Sequence, residues 1–342
     1  LVDELLAAEI TPFVTLYHWD LPQALQDRGG WENRDVAAWF TEYVSHVVAR
    51  LGDRVKHWIT LNEPFVIAFL GNYTGEHAPG KKSRRAAFRV THNLHRAHGA
   101  AVDAIRGQHA DALVGITHAV SPVHPASPRD SAAARRGDAL MNRIFLDPLF
   151  GRGYPAEAEG LIARANPDRE PQDMELAARP ADFVGWNNYT RQVARRTILP
   201  IPGFRFVDKA VPEAEYTEMG WEVYPPGLAE LCLRMRDEYG NPPVYITENG
   251  AAFADVVDGD RVADERRVSF LDAYLNELSG AISGGCDVRG YFVWSFMDNF
   301  EWAHGYTKRF GIVYVDYATQ RRIPKDSARW YSELIASQKR EV

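Results

Sequence analysis

Six short apolar runs alternate with longer helical patterns along this chain, and that alternation constrains the fold more than any other feature. The runs are 11–17, 55–61, 112–119, 183–188, 243–247 and 288–296. Between and after them lie helical patterns at 36–51, 86–108, a broken stretch at 131–163, then 227–239, 265–283 and 325–337. Strands that alternate with helices predict βαβ units and a parallel sheet. The strands are apolar at successive positions, as in Phe13-Val14-Thr15-Leu16 and Leu113-Val114-Gly115-Ile116. This is the pattern of a sheet covered on both faces.

The chemistry at the strand ends separates an open sheet from a barrel. No Gly-x-Gly-x-x-Gly turn follows an early strand, and Gly151-Arg152-Gly153 precedes Tyr154-Pro155 as a loop fragment. A dinucleotide site is therefore not expected. Instead the strands end in polar or aromatic groups: His18-Trp19-Asp20, Asn62-Glu63, His118, Asn187-Asn188-Tyr189, Glu248-Asn249 and Trp294-Ser295. In an α/β barrel such ends converge on one face, where catalytic groups sit. Six strand–helix units are counted where a (β/α)₈ TIM barrel has eight. The segment 191–219, with Pro200, Pro202, Gly203 and Pro212, is read as an irregular excursion over the barrel mouth. No linker or repeat divides the 342 residues, so one barrel domain, incomplete at its front, is expected over 1–342.

Composition fits this reading. Hydrophobic residues make up 46% and charged residues 25%, enough for a sizeable core in a globular protein. The net charge of −7 argues against nucleic acid as a partner. No run reaches the length of a membrane helix, so no membrane is expected. The basic run Lys81, Lys82, Arg84 and Arg85 reads as a solvated loop. Two cysteines, Cys232 and Cys286, do not make a disulfide framework and fit a reducing, cytoplasmic setting. Leu1 begins inside an uncapped helical pattern, so the start reads as a cut in a longer sequence.

Glu63 and Glu248 carry the functional argument. They stand about 185 residues apart, each at a strand end beside an asparagine and a chain-turning residue, Pro64 or Gly250. Either alone reads equally well as an exposed side chain or an ordinary turn. As a pair they are the minimum apparatus for hydrolysing a glycosidic bond, one attacking and one protonating the leaving oxygen. The chain has nine tryptophans, and Trp19, Trp186, Trp294 and Trp302 fall at or just past strand ends. Flat aromatics beside fixed polar groups suit a sugar, with its apolar C–H faces and rim of hydroxyls. His92, His95 and His98 recur every third residue of a helix, without the spacing of a zinc motif, and read as structural or solvated. No Ser or Cys lies in a nucleophile elbow.

Five segments in this order resemble the glycoside hydrolase family 1 β-glucosidases: 16–22, Thr60-Leu61-Asn62-Glu63-Pro64, Ile246-Thr247-Glu248-Asn249-Gly250, 294–302 and 309–316. The resemblance implies a (β/α)₈ barrel that cleaves β-glycosides with retention and uses no metal or organic cofactor. It implies Glu63 as acid/base and Glu248 as nucleophile. His18, Asn62 and Glu301 match residues that bind sugar hydroxyls; Trp294 matches the platform under the ring, with Trp302 beside it. Asn187 and Tyr189 match a pair near the nucleophile, the tyrosine bonding its carboxylate. Phe310 and Trp221 match pocket positions, Trp221 towards the aglycone.

The implied substrate is a β-glucoside or short β-linked oligosaccharide. Glu301 disfavours a 6-phosphorylated sugar, and the presence of Glu63 favours an O-glycoside over a thioglycoside. A 6-phospho-β-glycosidase, and an inactive or sugar-binding fragment, are the alternatives. Two departures stand out: Glu9 replaces a glycine at a helix end, and the family's first two strands, with a sugar-binding glutamine and an arginine near the nucleophile, have no counterpart here.

Overall fold

The computed structural model describes residues 1–198 and 202–338; Pro200, in the proposed excursion, lies outside the described residues. The main sheet has six strands that neighbour one another in chain order: β1 (Phe13–Thr15), β2 (His57–Asn62), β3 (Leu113–Ala119), β4 (Phe183–Asn187), β5 (Val244–Asn249) and β6 (Val288–Val293). All six coincide with the runs read from the sequence, to within a few residues at each end. The chain forms two compact units, which divide within β5.

The first unit comprises Leu1–Val120, Arg135–Asn187 and Pro242–Tyr245. Its strands β1 to β4 pair in parallel, with Phe13 opposite His57, Ile59 opposite Gly115, and Gly115 opposite Phe183. Val184 N–H donates to the Pro243 carbonyl at 2.9 Å and continues the sheet to β5. Rings from four strands then meet in one layer. Phe13 stacks on His57 (4.1 Å between centroids) and lies 5.0 Å from Tyr245, which lies 5.1 Å from Phe183. In a flat sheet, strands four positions apart are separated by about 19 Å. The 5.0 Å contact between β1 and β5 therefore requires the sheet to curl around these rings, as barrel strands do around their side-chain layers. Gly115 belongs to this packing, because a Cβ there would lie 2.4 Å from the Phe183 ring.

The long helix Arg84–Gln108 closes the outside of this unit. Ser83 caps it by accepting from Ala86 N–H at 3.2 Å. Its apolar face, with Val90, Leu94, Ala97, Ala101, Val102 and Ile105, is buried in the core. His92, His95 and His98 are buried on the same helix. His92 and His95 both meet the Tyr154 hydroxyl (3.0 and 3.1 Å), His92 also meets Asp173, and His98 meets Thr60 at 2.8 Å. They are structural, each set by a partner, and not solvated. In the basic run, Lys81 pairs with Glu32 on the surface. The opening helix Val2–Ala7 has no side-chain cap, and Glu9 after it adopts φ 59°, the left-handed conformation that glycine enters cheaply.

The second unit comprises Ser121–Ala134, Asn188–Asn241 and Ile246–Val342. The helices Pro226–Glu238 and Glu265–Ser283 lie where the sequence places them. The segment read as irregular is more ordered than expected. Gln192–Arg196 pairs antiparallel with Phe204–Phe206 and parallel with Val123–Pro125, giving a small three-stranded sheet. Its prolines Pro202 and Pro212 flank the strands, where no ladder donor is lost.

Candidate active site

In the first unit, five of the sequence-derived residues gather at the ends of β2 and β4. Asn62 is the hub. Its side-chain oxygen accepts from Asn187 Nδ2 at 3.0 Å, which fixes the amide orientation and aims Nδ2 at His18 Nε2, 3.1 Å away. Its backbone carbonyl accepts from Trp19 Nε1 at 3.0 Å. Asn187 Nδ2 also donates to Glu63 Oε1 at 2.8 Å, so one amide ties the Asn62 and Glu63 side chains together. Burial holds the His18 imidazole near a pKa of 4 against the opposing pull of Asp20. His18 is therefore neutral near pH 7, and a proton on Nδ1 makes it a donor for a ligand hydroxyl.

Glu63 itself is 6% exposed. Its N–H still donates across to the Thr117 carbonyl (2.8 Å), yet its φ is 49°, and the π-helix Val66–Thr74 begins three residues later. Left-handed backbone at a non-glycine residue costs about 1–3 kcal/mol and tends to occur at functional positions. Trp19 (φ 78°) and Trp302 (φ 42°) share this conformation.

In the second unit, Glu248 ends β5. Tyr189 OH donates to Glu248 Oε2 at 2.5 Å. The Tyr189 ring packs 5.1 Å from Trp221 and 6.0 Å from Phe310, so the donor is held in an aromatic cluster. Its backbone carbonyl accepts from the buried Tyr274 hydroxyl at 3.2 Å, and that hydroxyl also accepts from Tyr224 N–H. The neighbours of Glu248 in its motif are structural. Asn249 is fully buried, donates to the Asn188 carbonyl (2.7 Å) and accepts from Tyr291 OH (2.6 Å). Gly250 permits the close approach of β6, since a Cβ there would lie 1.9 Å from the Trp294 carbonyl oxygen.

The aromatic segment after β6 places Trp294, Glu301 and Trp302. Trp294 hydrogen-bonds the Glu301 side chain, and burial, acting against that bond, holds the Glu301 carboxyl above the usual carboxylate range. Glu301 Oε2 is buried with no hydrogen-bond partner among the described residues. A buried acceptor in that state costs about 1–3 kcal/mol until a donor arrives, which suits a ligand hydroxyl.

Beneath this segment lies a buried charge cluster that the sequence did not reveal. Asp298 accepts from Lys325 (3.1 Å), Arg309 (2.5 Å) and Gly311 N–H (3.0 Å), and Lys325 also meets Asp255 at 2.5 Å. Tyr274 was missed as well. Nothing in a helical tyrosine, or in a lysine after a short strand, separates such residues from ordinary surface positions without the tertiary contacts. Among the described residues, no group of His, Cys, Asp and Glu has the arrangement of a metal site, and no helix is long and apolar enough to cross a membrane.

Comparison with known proteins decides the family. Residues 1–340 match the profile of Glycosyl hydrolase family 1. The chain belongs to that family. Across 98% of its length it is 46% identical to a 1,4-beta-D-glucan glucohydrolase of Thermotoga neapolitana, of which it spans 76%. It is 45% identical to Beta-glucosidase A of Thermotoga maritima, again over 98% of this chain and 75% of the relative. The solved structure of the Thermotoga maritima β-glucosidase with deoxynojirimycin superposes with a TM-score of 0.93 at 45% identity, covering 98% of this chain and 76% of that one. As a family 1 member, the chain is an α/β glycoside hydrolase of the TIM-barrel class.

Proposed function

We propose that this chain is a retaining β-glucosidase that releases the terminal sugar of neutral β-glucosides and short β-linked gluco-oligosaccharides. The family match over residues 1–340 carries the reading, and the names of the two relatives give its substrate class. Glu248 attacks the anomeric carbon and forms a glycosyl ester; Glu63 gives its proton to the departing oxygen, then takes one from the water that cleaves the ester. Each assignment has local support. The Tyr189 hydroxyl at 2.5 Å orients one Glu248 oxygen and spreads its charge, and the Asn187 amide at 2.8 Å fixes the Glu63 carboxyl. His18, Asn62 and Glu301 hold the sugar hydroxyls, with Trp19 beside them bracing Asn62 through its indole N–H; Trp294 and Trp302 take the sugar's apolar face, and Trp221 and Phe310 frame the leaving group.

Glu301 favours a neutral sugar. A phosphate dianion set against a buried carboxyl meets like charge, whereas a hydroxyl supplies the donor that Oε2 lacks. An aryl β-glucoside is therefore expected to turn over at least about tenfold more efficiently than its 6-phosphate, a preference of about 1.4 kcal/mol. The test of the whole reading is labelling by a 2-fluoro-β-glucoside, whose ester survives long enough for mass spectrometry. The label is expected on the peptide containing Glu248. Label on another acidic residue, or faster turnover of the 6-phosphate, refutes the corresponding assignment.

A further inference from the structure

The Tyr189 hydroxyl lies 2.5 Å from Glu248 Oε2, at the short end for a bond to a carboxylate. Its ring is boxed in by Trp221 and Phe310, so the separation is set by where the Tyr189 backbone is held. Three successive carbonyls of the second unit are fixed at this point. The Asn188 carbonyl accepts from Asn249 Nδ2 at 2.7 Å, the Tyr189 carbonyl from Tyr274 OH at 3.2 Å, and the Thr190 carbonyl from Asn188 Nδ2 at 3.1 Å. All three donor side chains are 0% exposed.

Asn188 and Asn249 stand beside Tyr189 and Glu248 in the sequence. Tyr274 does not. It comes from the middle of the helix Glu265–Ser283, 85 positions from the carbonyl it reaches. Its ring stacks on Phe270 with 4.2 Å between centroids, which limits how far the hydroxyl can swing. Burial holds that hydroxyl above its ordinary pKa, so it keeps the proton it donates.

The choice of partners is informative. The Tyr274 oxygen also accepts from Tyr224 N–H at 3.1 Å, and Tyr224 closes the short segment that carries Trp221. One oxygen thus joins the backbone of the donor tyrosine to the backbone of the aromatic wall beside it. The Thr190 hydroxyl makes a second tie between the same two segments, donating to the Glu222 carbonyl at 2.9 Å. A hydroxyl that merely filled its own bonding capacity could use any two backbone groups. These two belong to the segments that box in the nucleophile's donor.

Resting on the β-glucosidase reading, we propose that Tyr274, with Thr190 as its second tie, is a positioning residue for the nucleophile: its hydroxyl clamps the Tyr189 peptide so that the phenol stays in register with Glu248. It acts only through Tyr189. A shift of about 1 Å in a reacting group can cost a hundredfold in rate, and a clamp of this kind guards against a fraction of that. Its effect is also bounded, since disturbing the Tyr189 hydroxyl cannot cost more than deleting it.

The test introduces Tyr274→Phe, and separately Thr190→Val, into the 342-residue chain and into its Tyr189→Phe variant. Aryl β-glucoside cleavage is followed against pH, with urea unfolding in parallel. Tyr274→Phe is expected to lower kcat/KM about three- to tenfold, the range for one uncharged hydrogen bond. The acid limb of the profile is expected to move up by about half a pH unit, because a weakened bond from Tyr189 favours the charged carboxylate less. In the Tyr189→Phe background the same change is expected to cost less than twofold, the hydroxyl it positions being gone. Thr190→Val is expected to act in the same direction and decides by the same criteria if Tyr274→Phe does not fold. Leu278→Ala, which opens a cavity one turn further along the helix, is expected to lower stability and leave the acid limb in place. Losses that multiply in the Tyr189→Phe background, an unmoved acid limb, or an equal shift in Leu278→Ala overturn the clamp while glucoside cleavage still stands for the glucosidase reading. If the unaltered chain cleaves no β-glucoside, the reading and the clamp fail together.

Discussion

Acidification should destabilise the first unit through its buried histidines, by an amount that follows from their surroundings. Burial pushes the His95 and His98 imidazoles down to about 3 and holds His118 well below its ordinary value of 6.5. All three are 2% exposed or less. In the unfolded chain each takes up a proton as pH falls through about 6.5, while the folded chain keeps them neutral. Stability is therefore fully present above pH 6.5 and is lost as pH falls towards the folded values. At pH 5.5 each unfolded histidine gains about 1.4 kcal/mol from protonation, against about 0.2 at pH 7, so the three together cost about 4 kcal/mol. His18, at about 4, adds a contribution of the same sign; Glu301, with its carboxyl held high, works in the opposite sense. Urea unfolding followed by tryptophan fluorescence reads the loss. With a slope of about 3 kcal/mol/M, the midpoint should fall by about 1 M between pH 7 and 5.5. His118→Leu isolates one share. Both His118 nitrogens are buried without a hydrogen-bond partner among the described residues, so the variant should be no less stable at pH 7 and should lose about 1 kcal/mol less on acidification. An unchanged midpoint across this range, or an undiminished loss in His118→Leu, refutes the reasoning.

Three further outcomes follow from the site. Tyr189→Phe keeps the ring among Trp221 and Phe310 but deletes the 2.5 Å donor to Glu248, so kcat/KM should fall about 10- to 100-fold. Because that donor favours the charged carboxylate, its loss raises the nucleophile's pKa and should move the acid limb of the pH–rate profile to higher pH. Glu63→Gln should slow glucosides with poor leaving groups about 10²- to 10⁴-fold, spare activated aryl glucosides, and remove the basic limb; equal losses for both classes contradict the acid/base role. Lys325→Met leaves Asp255 and Asp298 buried without that cation and should cost about 3–5 kcal/mol in urea unfolding, whereas a surface change such as Lys82→Met should cost almost nothing.

Much of the fold was legible because its signal is periodic. The run 265–283 gave the helix Glu265–Ser283 to the residue, and the six apolar runs gave the six sheet strands, since burial on both faces leaves little freedom in composition. The segment after Tyr189 was not legible. Its strands Gln192–Arg196 and Phe204–Phe206 are short and largely polar, and they are ordered by pairing that has no local signature. The histidines at 92, 95 and 98 show the same limit. Their spacing was visible, but their burial against Tyr154, Asp173 and Thr60 depends on what the rest of the unit brings to that helix face.

The candidate site divides along the same line. Glu63 and Glu248 stood out because each ends a strand within a short, unusual motif, whereas Asn187 and Tyr189, which orient them, were legible only through the family resemblance. Asn187 reaches Asn62 and Glu63 from 125 and 124 positions away, and Tyr189 reaches Glu248 from 59. A side chain that acts over such separations looks locally like any other strand-end polar group. Backbone strain gives an independent sign where sequence is silent. Among the described residues, seven non-glycine residues have positive φ, and Trp19, Glu63 and Trp302 of these are candidate site residues. Random placement does not favour such positions, because each conformation costs about 1–3 kcal/mol that surrounding contacts must offset. At Glu63 those contacts are visible: the ladder bond to Thr117 before the turn and the helical bonds from Val66 and Ile67 after it hold both sides of the strained residue. The strain thus turns the carboxyl out of the strand direction at the point where the sheet ends, which is what a strand-end acid needs and what a regular β conformation, alternating its side chains between the two faces, does not supply.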